Sequence, residues 1–316
     1  MGLSQSLFHE PWWLSAVTGN QYEEVTVKHG SRVVGRFPFA VARRGPFHLL
    51  QMPAFTHLLG PAVDVGVGKP QSLLTKRLSI VRDLIDQLPP FSFFKQVFDP
   101  SIADGLAMAD GLAFQDRGFQ VTLQYTFQID CRNDPTNIWD GMHTTVRQHI
   151  RRAEEKYSVA AVNDPQQFGE FYVRNIEKAN KINRTDFAHF ANVFSECQAR
   201  NAGEILGAFD ADGAPAAMVF LAWGHGVGYY LLSTRAPDVG DSGSVSLLLW
   251  SAIKRAHKLK LLFDFDGVYS SGAARFLSGF GGQIKVRMIV TRGRPVYRVL
   301  RFVKSALVPH ESRDFT

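Results

Sequence analysis

Cysteine is almost missing from this chain: Cys131 and Cys197 are the whole complement, far apart and in no paired spacing. That excludes a disulfide framework and a zinc-type cysteine signature, and reduced structural thiols are expected instead. The ten histidines form no HExxH or other paired pattern, so no metal site is expected. No run reaches the roughly 18 apolar residues of a transmembrane helix. The start, MGLSQSLFHEPWWL, lacks the basic residues and long apolar stretch of a secretory signal. The expectation is a cytoplasmic protein. Low-complexity tracts are absent too, which excludes long disorder and leaves the tail after Pro309 as the expected loose end.

What is present is a chain of 316 residues with 45% hydrophobic content, ample for two compact domains or one large one. The net charge of +6 favours anionic partners such as phosphates, nucleic acid or headgroups. The excess concentrates in two places, Arg147 to Lys156 and Lys285 to Arg301. The second, with Lys285, Arg287, Arg292, Arg294, Arg298, Arg301 and Lys304, suits tRNA phosphates or a peripheral contact with an anionic membrane as well as it suits an ordinary solvated sheet edge and helix face.

The patterning is α/β, of the α+β kind. Alternating β-rich runs YEEVTVKHG, SRVVGRFPFAVARRG and PFHLLQMPAF read as an antiparallel meander. A helix over Gln71–Leu88, a strand FSFFKQVF, a helix from about Ser101 and a strand GFQVTLQYTFQID complete a first domain, residues 1–133. The second, 134–316, opens with one helix over TNIWDGMHTTVRQHIRRAEEKY, then strand SVAAV and two helices between Pro165 and Ala199. Strands EILGAFD, APAAMVFLAW and VGYYLLSTR follow, then an amphipathic helix from about Ser242 to Lys258. A parallel crossover from that last strand through this helix to Phe263 is expected, giving each domain a mixed twisted sheet flanked by helices.

FDFDG, residues 263–267, ends an apolar run with two aspartates. If the strand stays extended, Asp264 and Asp266 share one face and the phenylalanines turn to the core. A carboxylate at the C-terminal end of a parallel strand can bind substrate or take a proton from an ammonium; it can equally cap a helix or pair with an arginine. On the preceding strand, Tyr229, Tyr230 and Ser233 are candidates for holding a carbonyl or protonating a leaving group, against a bland reading as core. Arg147 and Arg151 share a helix face, and with Arg152 could clamp an anion; the alternative is a solvated helix with Arg151 to Glu155 pairs. Gly240-Asp-Ser-Gly243 imitates a protease nucleophile loop, yet leads into a helix, where Asp241 or Ser242 reads as the cap.

VGYYLLSTR, SVSLLLWSAIKRAH, FDFDG and RFLSGFGG, with VRQHIRRAEEKYSV, FHEPWWLSAV and THLLGP upstream, together resemble the Fem-type aminoacyltransferases and their acetyltransferase relatives of the GNAT superfamily. The resemblance covers nearly the whole chain. It implies tandem GNAT-like domains and transfer of an acyl or aminoacyl group to a primary amine of a cell-envelope precursor, glycan or small metabolite. The donor it implies is acyl-CoA or aminoacyl-tRNA. The candidates for chemistry are then Asp264, Asp266 and Tyr230, and those for substrate contact Arg147, Arg151, Arg152, Tyr229, Ser233, Arg275 and Phe276. The loop holding Gly240, Ser242, Gly243 and Ser244 falls where such enzymes cradle the donor's phosphates. Two readings of other classes stand beside it: a non-catalytic module for an anionic glycan or peptide precursor, and a basic RNA-binding protein.

Overall fold

The computed structural model describes residues 3–98, 106–178, 187–240, 243–268 and 270–297. Along the chain run α1 (Pro11–Thr18), β1 (Tyr22–His29), β2 (Arg32–Arg44), β3 (Phe47–Gln51), β4 (Ala62–Val63), α2 (Pro70–Asp86), β5 (Phe93–Phe98), α3 (Asp110–Asp116) and β6 (Gln120–Asp130). There follow α4 (Pro135–Gly141), α5 (Thr144–Glu154), β7 (Ser158–Val162), α6 (Pro165–Lys178), α7 (Phe190–Ala199), β8 (Gly203–Phe209), β9 (Pro215–Gly224) and β10 (Val227–Arg235). The chain continues through α8 (Ser244–Lys258), β11 (Leu262–Asp264), α9 (Ser271–Ser278) and β12 (Gln283–Gly293). The helix expected from Ser101 begins outside the described residues.

Two compact units emerge among the described residues, one from residues up to Gln124 together with 286–297, the other Tyr125–Lys285. The division therefore differs from one cut at 133/134. β12 is the reason: it pairs antiparallel with β5, from Met288 opposite Phe98 to Gly293 opposite Phe93, and so returns the chain to the first unit.

In the first unit β1, β2 and β3 form the expected antiparallel meander, β3 then pairs parallel with β5, and β5 antiparallel with β12. α2 lays Ile80, Val81, Leu84 and Ile85 onto a ring-rich core with Phe37, Phe94, Phe114 and Phe119. Inside that core Arg77 and Asp110 are both nearly inaccessible, and Arg77 Nε and Nη2 donate to the two carboxylate oxygens at 2.7 and 2.8 Å. The FHEPWW and THLLGP segments are tied together by buried polar contacts. His9 Nε2 meets the Gly60 carbonyl at 3.1 Å and Trp13 donates to Thr56 at 2.9 Å. Because a carbonyl only accepts, His9 Nε2 carries the proton and Nδ1 is left to accept from Ser6.

The second unit orders its strands β6, β11, β10, β9, β8, β7, with β10 and β11 parallel as expected and the other pairs antiparallel. α8 buries Leu248, Leu249, Ala252, Ile253 and Ala256 on one face, against Val219 and Leu221 of β9 and Phe263 of β11. Both units are mixed sheets flanked by helices, as expected. Among the described residues no helix is long and apolar enough to cross a membrane.

Both thiols sit in core, Cys131 and Cys197 each wholly covered. Burial pushes each thiol up to about 12. A thiolate is the reactive form, so the folded protein is expected to be silent to a disulfide-exchange reagent at neutral pH and to release two equivalents once unfolded.

Candidate functional site

The parallel pairing of β10 with β11 is brief: Val227, Gly228 and Tyr229 oppose Leu262, Phe263 and Asp264, and there it stops. β10 runs on to Arg235 beside β9 alone. From Tyr230 onward, its backbone on the β11 side faces no strand among the described residues, and the two strands part like a fork. In a β-strand, helix, β-strand crossover the helix starts at the C-terminal end of the first strand, so α8 begins on the open side of this fork. Its N-cap, Gly243, has φ of 72° and supplies no side-chain cap to the first-turn N–H groups. A Cβ there would lie 2.5 Å from the His149 carbonyl oxygen, so only glycine lets α5 approach this closely.

FDFDG makes the fork. Phe263 and Phe265 do turn to the core, their rings edge to face at 5.1 Å. The aspartates do not share an extended face, however, because Asp266 is left-handed at φ 64° and Gly267 follows at 100°. Both carboxylates are buried, Asp264 at 0% exposure and Asp266 at 2%. Asp264 Oδ1 accepts from the Thr126 hydroxyl at 2.6 Å and from the Asp266 N–H at 2.7 Å, while Oδ2 accepts from Gln128 at 2.7 Å. The contact to the N–H two residues on is an Asx turn, which bends the chain out of the strand. Thr126 also accepts from the Gly267 N–H at 3.1 Å, so one hydroxyl grips both ends of the turn. Backbone bonds from Phe265 to Phe127 and from Val268 to Tyr125 fasten it along β6.

Across the fork the register of β10 against β9 slips between Tyr230 and Leu232. One extra residue reverses the alternation, so Tyr230 and Ser233 come to lie on the same face, where an unbroken strand would oppose them. Their hydroxyls hydrogen-bond. Tyr230 packs partly buried against the α8 core, and Tyr229 is buried. Burial pushes the Tyr230 phenol up to about 12, with the Ser233 hydrogen bond opposing the shift. At neutral pH it is a neutral donor.

The glycines of RFLSGFGG serve close packing. α9 ends at Ser278, and Gly279 offers its carbonyl to the His143 N–H at 2.8 Å. A Cβ on Gly281, at φ 81°, would stand 2.7 Å from the Gly141 carbonyl oxygen. These contacts sit at the junction that splits the single helix expected over residues 136–157: Met142 is extended, and His143 caps α5 by accepting from the Thr145 N–H. Arg275 and Phe276 are both exposed, and the Phe276 ring meets Phe280 edge to face at 5.6 Å.

Two of the arginines of α5 engage the preceding helix, α4: Arg147 Nη1 lies 3.6 Å from Asp140, and the Arg151 guanidinium rests 5.6 Å from the centre of the Trp139 ring. Arg152 is exposed. In the basic run toward the C-terminus, Arg287 is fully buried, which withdraws it from a phosphate-facing edge, while Arg292 is exposed and lies over Phe119 at 5.3 Å. Ser242 and Asp241 lie outside the described residues, as do Arg298, Arg301 and Lys304. Gly240 is exposed at φ 57° and Ser244 is buried. Thr126 and Gln128 escaped the sequence reading. Their signal was there: Gln124, Thr126 and Gln128 alternate with Tyr125, Phe127 and Ile129, placing polar side chains on one face of a strand inside a core.

Residues 141–276, which hold this fork and the start of α8, match the family model described as Acetyltransferase (GNAT) domain. The fold as a whole is Fem-like. A structure of FemX superposes with a TM-score of 0.66 at 12% identity, covering 93% of this chain and 94% of that one. The C-terminal domain of a putative lysylphosphatidylglycerol synthetase from Agrobacterium fabrum gives 0.55 at 11% identity, covering 93% and 90%. L-PGS from Bacillus licheniformis gives 0.54 at 12%, covering 95% and 96%. No curated protein sequence matches.

Proposed function

We propose that this chain is an N-acyltransferase or aminoacyltransferase working at the β10–β11 fork. The observation that carries the reading is the early end of the pairing at Tyr229 and Asp264 within the region matching a GNAT domain. A backbone N–H of β10 beyond Tyr229 polarises the donor carbonyl, and the amine attacks that carbon to form a tetrahedral intermediate. As the intermediate collapses, the C–S or C–O bond to the leaving group breaks; the neutral Tyr230 hydroxyl turns from Ser233 to give its proton to the departing atom, and the phenolate so formed takes the proton that the attacking nitrogen sheds. The loop at Gly240 and Gly243 and the first turn of α8 at Ser244 receive the donor's anionic end.

The acceptor is a primary amine. FemX and the lysylphosphatidylglycerol synthetase domains, similar in fold, support a cell-wall or lipid precursor as its source. Calorimetric titration with acetyl-CoA and with an aminoacyl-tRNA tests the donor, followed by turnover with amines of each class. Saturable binding of one donor and amine-dependent consumption of it are expected. Binding of neither overturns the reading.

A further inference from the structure

We propose that Asp264 is a positioning residue that opens the fork, clamped by Thr126 and Gln128, and is not the base of the transfer. The inference rests on the functional reading above only for its kinetic consequence; the clamp itself is a statement about the chain's backbone.

Two aspartates so close to a parallel strand end invite assignment as a catalytic pair. Three donors converge on Asp264 instead: a hydroxyl and a backbone N–H on Oδ1 and an amide on Oδ2. Both carboxylate oxygens are thus engaged within the fold, and the side chain has no exposure through which an ammonium could reach it. Its work is mechanical. By taking the N–H of Asp266, the carboxylate folds the chain into the left-handed step at Asp266, a conformation that aspartate and asparagine tolerate better than most residues. Thr126 holds the far end by accepting from Gly267. A strand that continued straight past Asp264 would keep pairing with Tyr230 and the residues after it, and the amides offered to the donor would be consumed in the sheet. The clamp ends β11 at the residue where the donor site must begin.

The chemistry the clamp needs is one acceptor for Thr126 and Asp266, not a negative charge. The substitution Asp264→Asn keeps an oxygen for those two donors, and Gln128 can turn its own oxygen to meet the new amide. The test uses the whole protein and four variants, Thr126→Ser, Thr126→Val, Asp264→Asn and Asp264→Ala, with folding checked by thermal denaturation. Two quantities are read: hydrogen exchange at the Asp266 and Gly267 amides, and donor affinity with kcat. Thr126→Ser and Asp264→Asn are expected to keep both amides protected and donor affinity within about threefold of the parent, as a conservative rescue should. Thr126→Val and Asp264→Ala are expected to expose those amides and to weaken donor binding by something on the order of tenfold to a hundredfold, the penalty for displaced binding groups. Abolished turnover in Asp264→Asn with both amides still protected would overturn the proposal, because the charge itself would then be chemical. So would exposed amides in Thr126→Val with donor affinity intact. Should the parent protein bind neither donor, the functional reading falls, while the exchange data still decide whether the clamp holds the turn.

Discussion

Tyr230→Phe is expected to lower kcat by on the order of a hundredfold or more while leaving donor affinity nearly unchanged, the signature of a group that acts in the transition state. The ring stays, so its packing against the α8 core is retained. What disappears is the hydrogen bond to Ser233, a loss of only about 0.5–1.5 kcal/mol in stability. A folded, donor-binding protein with poor turnover is therefore the expected phenotype. Ser233→Ala should have a smaller effect of the same kind, since it removes the orienting partner and leaves the phenol. The pH dependence gives an independent check. The phenol is pushed from its usual 10 to about 12 by burial, so the protonated form is favoured in the folded state. Its stabilising contribution is complete below pH 10, and is lost as pH rises through the folded value near 12. Spectroscopic titration should show a late-titrating tyrosine that Tyr230→Phe removes. Turnover within about threefold of the parent would make Tyr230 a packing residue.

The parts of this fold that were legible in the sequence are those whose burial pattern repeats. α8 announced itself through a continuous apolar face, and β1 to β3 through alternation bounded by glycine turns, because one-sided burial forces those periods. The parallel β10–β11 pair followed from the connection rule for a strand, helix and strand. Illegible were the places where a local interaction outweighs a period. An eleven-residue α5 preceded by the short α4 cannot be told from one long helix until Gly279 and Gly281 are seen packed against their junction. The two aspartates looked equivalent because alternation was assumed; a single left-handed residue at 266, set by a side chain two positions earlier, made them different. Equally hidden was the slip beside Leu231 that turns Tyr230 and Ser233 to one side. A stretch of charge such as Lys285 to Arg301 reads as surface from composition alone, yet β12 carries Arg287 into the interior. The candidate site thus lay within segments that the sequence singled out, while the roles of residues inside them depended on turns and bulges that composition does not encode.

Arg77→Ala is expected to destabilise the protein by about 3–5 kcal/mol, read as a fall in the denaturation midpoint, because it strands a buried carboxylate. Arg77 and Asp110 have side-chain exposures of 2% and 1% and meet through two parallel hydrogen bonds, so neither charge has water to fall back on. Burial pushes the Asp110 carboxyl up, and the hydrogen bonds from Arg77 oppose that shift. Without the guanidinium the opposing influence is gone and the folded carboxyl rises further. A raised folded value means stability that is present below the unfolded value of 3.8 and lost as pH climbs through the folded one. The deficit of Arg77→Ala should accordingly shrink on acidification and grow toward neutral pH. Asp110→Ala, which strands the guanidinium instead, should cost a similar amount without easing in acid, since arginine cannot shed its proton. The double replacement Arg77→Met with Asp110→Leu removes both charges and fills their space with apolar side chains, and it is expected to recover most of the loss. A double variant as unstable as Arg77→Ala would show that the pair's hydrogen-bond geometry holds α2 against α3 in a way packing cannot replace.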